Sequence, residues 1–436
     1  MTPAARVAAA IEVLADVEAR RRPAVDALKD WGLARRFAGS GDRAAIAGLV
    51  YDALRRRSSS AWLMGDESPR AVMIGALKQL RDLDEAGISA LFSGEGHAPA
   101  PLTEAERERL RSGDLSGAPD HVRGDYPDWL AAAFAESCGD DAVAEGRALA
   151  SRAPVDLRVN TLKGGRDRAL AALAHLEAQP TPLSPVGIRV PLRADGRGPA
   201  LSAEPAYVKG QVEVQDEGSQ LAALLSGAKP EMQVLDLCAG AGGKTLALAA
   251  MMQGKGRLIA TDHDKRQLAP IHERLSRAGI HNCDVRAPKG PDDTLIDIHA
   301  SADLVLIDAP CTGTGTWRRN PDAKWRMRPG ALEVRLKDQA EVLDRGAALV
   351  KPGGRIAYIT CSVLPPENAE QVQAFVARHP EFAVLPPQQT VTVLWDKAEE
   401  FAAATLQSPE GLLMTPRRTG TDGFFVSVLR KNASSV

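Results

Sequence analysis

The chain is predicted to close with a doubly wound parallel α/β domain, preceded by an all-helical bundle and a small α/β insert. Three observations carry that expectation. From about Val214 onward, short apolar runs with strand character alternate with helical stretches, the pattern of a parallel sheet covered on both faces. The run Gln233 to Leu237 leads into glycines and a helix start, and the run Leu304-Val305-Leu306-Ile307 ends in Asp308-Ala309-Pro310-Cys311, so chemistry crowds the carboxyl edge. Before Val214 the apolar spacing is helical from Thr2 to about Leu130 and mixed thereafter.

A length of 436 residues suggests about two or three domains. A hydrophobic fraction of 44% beside 25% charged residues is that of a soluble globular protein. No apolar run approaches the roughly 18 residues of a membrane span, and Met1-Thr2-Pro3-Ala4-Ala5-Arg6 lacks the apolar core of a secretory signal. A cytoplasmic monomer with no membrane partner is therefore expected. Cys138, Cys238, Cys283, Cys311 and Cys361 are odd in number, scattered, and without CxxC or His-rich spacing, so neither a disulfide framework nor a metal site is expected. The formal net charge of −2 means that any nucleic-acid contact must come from local basic patches.

In the first 130 residues, Val7, Ile11 and Leu14 share a helical face, as do Ile46, Leu49, Val50 and Leu54, and Met73, Leu77 and Leu80. Asp42 is positioned to cap a helix starting near Arg43 and ending in Arg55-Arg56-Arg57. That basic triplet suits either the helix dipole or an RNA contact. Gly41-Asp42-Arg43 through Val50-Tyr51-Asp52-Ala53-Leu54-Arg55 resembles the NusB-like RNA-binding helical domain. A Pro/Gly-interrupted linker runs from His97 to Tyr126. Residues 131–213 form the small α/β insert, with a strand at Val155 to Asn160, a helix at Arg166 to Leu176 and a strand at Val186 to Val190. Arg158 and Asn160, outward-facing on that first strand, are candidate RNA contacts.

The last domain, residues 214–436, is expected to hold parallel strands at Gln233 to Leu237, Arg257 to Thr261, His281 to Arg286, Ala302 to Ile307 and Gly354 to Thr360, with a final strand at Phe424 to Leu429. The loop Asp236-Leu237-Cys238-Ala239-Gly240-Ala241-Gly242-Gly243-Lys244-Thr245 admits two familiar nucleotide patterns and fits neither. An ATP-binding Walker loop needs glycine where Cys238 stands, and the dinucleotide pattern needs glycine where Thr245 stands. What remains is a glycine turn preceded by an acid, with Asp262 at the tip of the next strand, where a carboxylate can accept both hydroxyls of a ribose. S-adenosylmethionine fits that arrangement better than NAD or ATP. The candidate cofactor residues are Cys238, Ala239, Gly240, Ala241, Gly242, Gly243, Lys244, Asp262 and Asp308.

The fourth and fifth parallel strands of such a sheet are neighbours, about 4.8 Å apart, so Cys311 and Cys361 are expected to meet at the carboxyl edge beside Asp308. Asp236 to Thr245, Asp308-Ala309-Pro310-Cys311-Thr312-Gly313, Arg318-Arg319-Asn320-Pro321-Asp322-Ala323-Lys324-Trp325 and Thr360-Cys361-Ser362 resemble the motifs of the NOP/Sun family of RNA cytosine-C5 methyltransferases. Val214-Gln215-Asp216-Glu217-Gly218-Ser219-Gln220 and Thr421-Asp422-Gly423-Phe424-Phe425 match as well, and with the NusB-like amino end the chain is similar to the branch acting on bacterial small-subunit rRNA.

The resemblance implies a Rossmann-like S-adenosylmethionine domain, an RRM-like insert and an RNA substrate, with rRNA expected and tRNA the alternative. It implies attack on cytosine C6 by the Cys361 thiolate, a hold on the base by Asp308, and release of the adduct by Cys311. Arg318, Arg319 and Lys324 would touch RNA phosphate beside the active site. Departures are few. Val285-Arg286-Ala287-Pro288 lacks the acid many relatives carry near the adenine, and Arg417 and Arg418 stand where relatives commonly have His. A DNA cytosine-C5 methyltransferase would use the Cys of Pro310-Cys311 instead, but Thr360-Cys361-Ser362 argues against it. A non-catalytic RNA-binding assembly factor would be expected to have lost Asp308, Cys361 or the glycine loop.

Overall fold

The computed structural model describes residues 1–192, 198–289 and 294–433. They divide into two compact units, Met1–Arg152 with Trp317–Arg328, and Ala153–Thr316 with Pro329–Val436.

The first unit is a helical bundle. Helix α1 (Pro3–Arg20) starts where the Thr2 hydroxyl accepts the Ala5 amide and ends with Arg21 in the left-handed region. Helices α2 (Ala24–Ala34), α3 (Ser40–Arg55), α4 (Arg57–Met64) and α5 (Pro69–Arg81) follow. Val7, Val13, Leu14, Ile46, Val50, Met73, Ile74 and Leu77 form its core, as their helical spacing demands. Asp42 is not the cap of α3. Gly39 precedes that helix, and the Asp42 carboxylate instead accepts from the Met1 ammonium and from Arg6 Nε at 2.8 Å. The basic triplet is used internally: Arg55 donates to the Ser151 carbonyl, Arg56 pairs with Asp125, and Arg57 with Glu18.

Trp317–Arg328 is remote in sequence from the rest of this unit yet built into it. Trp317 is 1% exposed and stacks on Phe134, which stacks on Tyr126. Lys324, also 1% exposed, donates from Nζ to the Asp125 carbonyl at 2.7 Å and the Arg55 carbonyl at 3.1 Å. Trp325 Nε1 donates to the Leu54 carbonyl, and Asp322 accepts the Ala24 amide.

In the second unit, a four-stranded antiparallel sheet holds β1 (Val155–Val159), β2 (Gln179–Pro180), β3 (Gly187–Val190) and β4 (Val212–Val214) in the order β2-β3-β1-β4. Leu157, Val159, Ile188 and Val190 bury one face against Ala169 and Leu173. The helix predicted to reach Leu176 ends at Ala172, with a single tighter turn after it.

The larger sheet bears out the doubly wound expectation. Strands β5 (Gln233–Asp236), β6 (Arg257–Thr261), β7 (Cys283–Arg286), β8 (Ala302–Asp308) and β9 (Val350–Thr360) are parallel in the order β7-β6-β5-β8-β9. Strands β10 (Phe382–Val384), β11 (Leu406–Ser408), β12 (Gly411–Met414) and β13 (Phe424–Lys431) add an antiparallel flank, with β13 beside β9. Leu304, Val305, Leu306 and Ile307 are wholly buried, which explains their unbroken apolar run. Strand β9 starts earlier than predicted. Ala302 opposes Val350 and Leu304 opposes Arg355, so Lys351-Pro352-Gly353-Gly354 bulge within the strand, with Gly353 at φ 76°. The order of the strands reverses between β5 and β8, and ligands bind beyond the carboxyl ends at such a switch point.

Burial lowers the Lys324 pKa from 10.5 to about 7. Between those values the unfolded chain holds a proton that the folded chain has given up, so this residue makes stability rise with pH from about 7 to about 10.5. Denaturant unfolding followed by tryptophan fluorescence should show this rise, at most about 1.4 kcal/mol per pH unit, and Lys324→Met should flatten it.

Candidate active site

The carboxyl ends of β5, β6, β8 and β9 bring their side chains to one crevice within the second unit. After β5 the loop is tied down from several directions. Thr245 donates to Asp236 at 2.7 Å, the Gly242 amide reaches the Ala239 carbonyl, and Arg274 donates to the Ala241 carbonyl at 2.7 Å while pairing with Glu213 on β4. Asp262, just past β6, accepts the Gly240 amide at 2.8 Å and the Asp264 amide at 2.9 Å. Each carboxylate oxygen has two lone pairs, so Asp262 keeps capacity for ribose hydroxyls.

Two observations test the fit of a nucleoside cofactor here. Gly240 has φ 50° and nothing within 4 Å of where a Cβ would stand, an open cradle over the loop. Asp236 Oδ1 is buried with no hydrogen-bond partner among the described residues, and burial pushes its carboxyl up to about 7. The residues fit the expected S-adenosylmethionine. Cys238 is not a competing nucleophile, since burial and the neighbouring carboxylates push its thiol well up. Asp284 offers no free acid near the base either, because Arg286 Nε binds it at 2.8 Å.

Asp308 ends β8 and is 35% exposed; Lys244, 6% exposed, donates to it at 2.7 Å. The Lys244 ammonium also lies over the Phe424 ring at 5.0 Å. Beyond Asp308 the chain turns through Pro310 and Cys311, and beyond β9 through Cys361 and Ser362. The two sulfurs are 3.3 Å apart, hydrogen-bonded thiols rather than a disulfide, whose sulfurs stand at about 2.05 Å. The bond with Cys361 is the largest cause raising the Cys311 pKa well above its ordinary value, with burial and the charge of Glu367 adding to it.

Two side-chain systems and one backbone crossing that sequence inspection missed hold these loops. Glu367, wholly buried, accepts the Thr312 amide at 2.7 Å, the Thr312 hydroxyl, and Gln339 Nε2 at 3.0 Å, and Gln339 also donates to the Pro310 carbonyl. Asn368 accepts the Thr360 hydroxyl and donates to the Ser362 carbonyl at 3.0 Å. The Gly315 amide donates to the Cys361 carbonyl, and the Gly423 amide to the Gly315 carbonyl. A Cβ on Gly315 would lie 2.2 Å from the Gly423 carbonyl oxygen, so only glycine allows that crossing. The one sequence signal was the acid-amide pair after Pro365-Pro366, which has no local periodicity to mark it.

Among the predicted RNA contacts, four are corrected. Arg158 is 4% exposed and donates to Gln215 at 2.6 Å; Asn160 is 6% exposed and donates to the Gly210 and Ala278 carbonyls. Arg318 is 4% exposed, and Lys324 is locked inside the helical unit. Arg158, Asn160 and Lys324 are thus spent on hydrogen bonds inside the fold rather than displayed to a phosphate. Arg319 remains exposed. Among the described residues, no group of three His, Cys, Asp or Glu is placed to hold a metal ion.

Similarity to known proteins agrees with this geometry. Residues 222–430 match the family described as 16S rRNA methyltransferase RsmB/F, and residues 126–195 match its ferredoxin-like domain. A probable ribosomal RNA small subunit methyltransferase B of Synechocystis is 28% identical over 96% of this chain and 98% of its own. The ribosomal RNA small subunit methyltransferase B of Sodalis glossinidius is 32% identical over 77% of this chain and 70% of its own. The crystal structure of PH0851 shares the fold, with a TM-score of 0.72 at 24% identity over 99% of both chains. A glycine cradle and an acid-thiol edge on a doubly wound sheet, matched along the chain by these relatives, place the protein in the RsmB/F family of 16S rRNA methyltransferases.

Proposed function

We propose that this protein methylates C5 of a cytosine in small-subunit rRNA through a covalent bond between Cys361 and C6. The observation carrying this reading is the contact of two thiols 3.3 Å apart beside the Lys244–Asp308 pair. S-adenosylmethionine is the cofactor; when bound it supplies an electrophilic methyl group. Residues 238–244 would hold its nucleoside, with Asp262 available to the ribose hydroxyls.

Cytosine C5 is a poor nucleophile, so a thiolate must first add to C6 and make C5 enamine-like. Cys361 supplies that thiolate, with Cys311 donating its S–H toward it. Asp308 accepts from the exocyclic amine of the base, and the Lys244 ammonium, which donates to Asp308 at 2.7 Å, is the cation that offsets the negative charge developing at N3. After methylation the C5 proton must leave as the Cys361–C6 bond breaks.

The thiol contact supports an order for these events. While Cys361 is free, its sulfur holds Cys311 protonated. Once Cys361 is tied up in the adduct, the largest cause of that raised pKa is gone. Burial and Glu367 still raise Cys311, but adduct formation removes the foremost cause, and this makes Cys311 the thiol that gives up its proton to solvent and takes the C5 proton as the Cys361–C6 bond breaks.

Bisulfite sequencing of rRNA and tRNA from cells lacking the protein should show one 16S rRNA cytosine losing its protection. Loss confined to tRNA would replace rRNA as the target, and no loss in either would overturn cytosine-C5 chemistry. Cys361→Ala should abolish both methyl transfer and adduct formation. Cys311→Ala should instead accumulate a protein–RNA adduct that survives denaturing gels. Gly240→Val should weaken S-adenosylmethionine binding at least about tenfold by calorimetry, roughly 1.4 kcal/mol, because the side chain fills the cradle at a backbone angle valine avoids.

A further inference from the structure

We propose that Glu367 and Asn368 are positioning residues divided between the two thiols, Glu367 governing release through Cys311 and Asn368 governing attack through Cys361. This rests on the two-thiol reading above. The geometry that carries it is a double bracket. The residues on either side of Cys311 are Pro310 and Thr312; the Pro310 carbonyl is held by Gln339, and the Thr312 amide and hydroxyl by the Glu367 carboxylate, with Gln339 bonded to Glu367 as well. The residues on either side of Cys361 are Thr360 and Ser362; the Thr360 hydroxyl and the Ser362 carbonyl are both held by the Asn368 side chain. Adjacent residues thus clamp the two flanks of two different cysteines.

The choice of an acid for one bracket and an amide for the other has a chemical consequence. Glu367 is wholly buried, and its partners are the neutral donors of Thr312 and Gln339, with no cation paired to it among the described residues. Three donors meet two carboxylate oxygens that bring no N–H or O–H of their own, so Glu367 fixes the Thr312 flank and with it the seat of Cys311 in the turn. Its peptide is anchored too, because the Tyr358 hydroxyl donates to the Glu367 carbonyl at 2.7 Å. Asn368 can both accept and donate, as a hydroxyl on one side and a carbonyl on the other require. An acid at 368 or an amide at 367 would fail one of these tasks.

Neither residue touches the reacting atoms, so each acts through the cysteine it brackets. A merely structural role predicts the same loss from either substitution. The division of labour predicts opposite changes in the covalent intermediate.

The test uses the full-length enzyme with 16S rRNA from cells lacking the protein, and S-adenosylmethionine. Three quantities are read: turnover, KM for the RNA, and the fraction of enzyme in a denaturation-resistant adduct. Glu367→Gln should lower turnover by about 100-fold with KM unchanged, while the adduct fraction rises above wild type. Thr312→Val, which removes one bond to Glu367 and leaves its carboxyl in place, should shift the adduct fraction in the same direction and by less. Asn368→Ala should lower turnover comparably while the adduct fraction falls below wild type. If Glu367→Gln and Asn368→Ala move the adduct the same way, or a drop in melting temperature accompanies lost turnover with no change in adduct, the proposal is overturned. Cys311→Ala is the reference. Trapping by Cys311→Ala but not by Glu367→Gln sinks the positioning role alone, whereas no trapping by Cys311→Ala sinks the two-thiol reading beneath it.

Discussion

In the parallel pairing of β8 with β9, Asp308 stands opposite Ile359, and this register brings Pro310-Cys311 and Thr360-Cys361 over the same crevice. A slip by one residue would turn every side chain of β9 to the other face of the sheet and carry Cys361 away from Cys311. The register is protected by what surrounds it. The Ala309 amide donates to the Ile359 carbonyl just past the last paired residue, and Tyr358, Ile359 and Thr360 are wholly buried. Upstream, the bulge at Lys351 to Gly354 absorbs the extra residues of β9 so that the paired stretch from Arg355 onward stays in phase.

The same edge gathers acids in very different surroundings. Asp236 is sealed in, with one oxygen bonded to Thr245 and the other unpaired, and its carboxyl is pushed up to about 7 by burial and by the charges of Asp308 and Asp262. Asp262 spends both oxygens on backbone amides and so shapes the loop that it also flanks. Asp308 alone combines exposure to the crevice with a cation, Lys244, supplied by the first turn of the helix Gly243–Met251. Environment therefore sorts three like residues into distinct tasks, as it sorts the two thiols.

Much of this was legible in the sequence because it is written locally. Unbroken apolar runs marked the buried parallel strands, and glycines at Gly240 and Gly242 marked the loop. An acid and a thiol at the ends of two such runs marked the crevice. What was not legible depends on contacts between distant segments. Arg158, Asn160 and Lys324 are polar in sequence, and nothing nearby says that each is covered and hydrogen-bonded inside the fold. Glu367 and Asn368 lie outside any periodic pattern, and their partners are 55 and 8 residues away. The capping role expected for Asp42 failed for the same reason, since its carboxylate is taken by Met1 and Arg6 from another helix.

The stretch Arg318 to Trp325 shows how a motif can be recognised correctly and its residues misassigned. A basic run that follows a catalytic motif suggests contact with a polyanion. Here Lys324 is buried with two backbone carbonyls and the face of Trp325, 4.9 Å away, as its partners, and the charge of Asp125 only partly offsets the burial. Burying an ammonium in that way is costly, and the cost is visible in its lowered pKa. Such a cost is retained where the group fixes a chain path, and Lys324 joins the end of α3 to the turn at Asp125 from a segment nearly two hundred residues further along. Charge used for architecture and charge displayed for RNA look alike in a sequence. Solvent exposure separates them: in this segment Arg319, Arg326 and Arg328 are exposed, whereas Arg318 and Lys324 are buried.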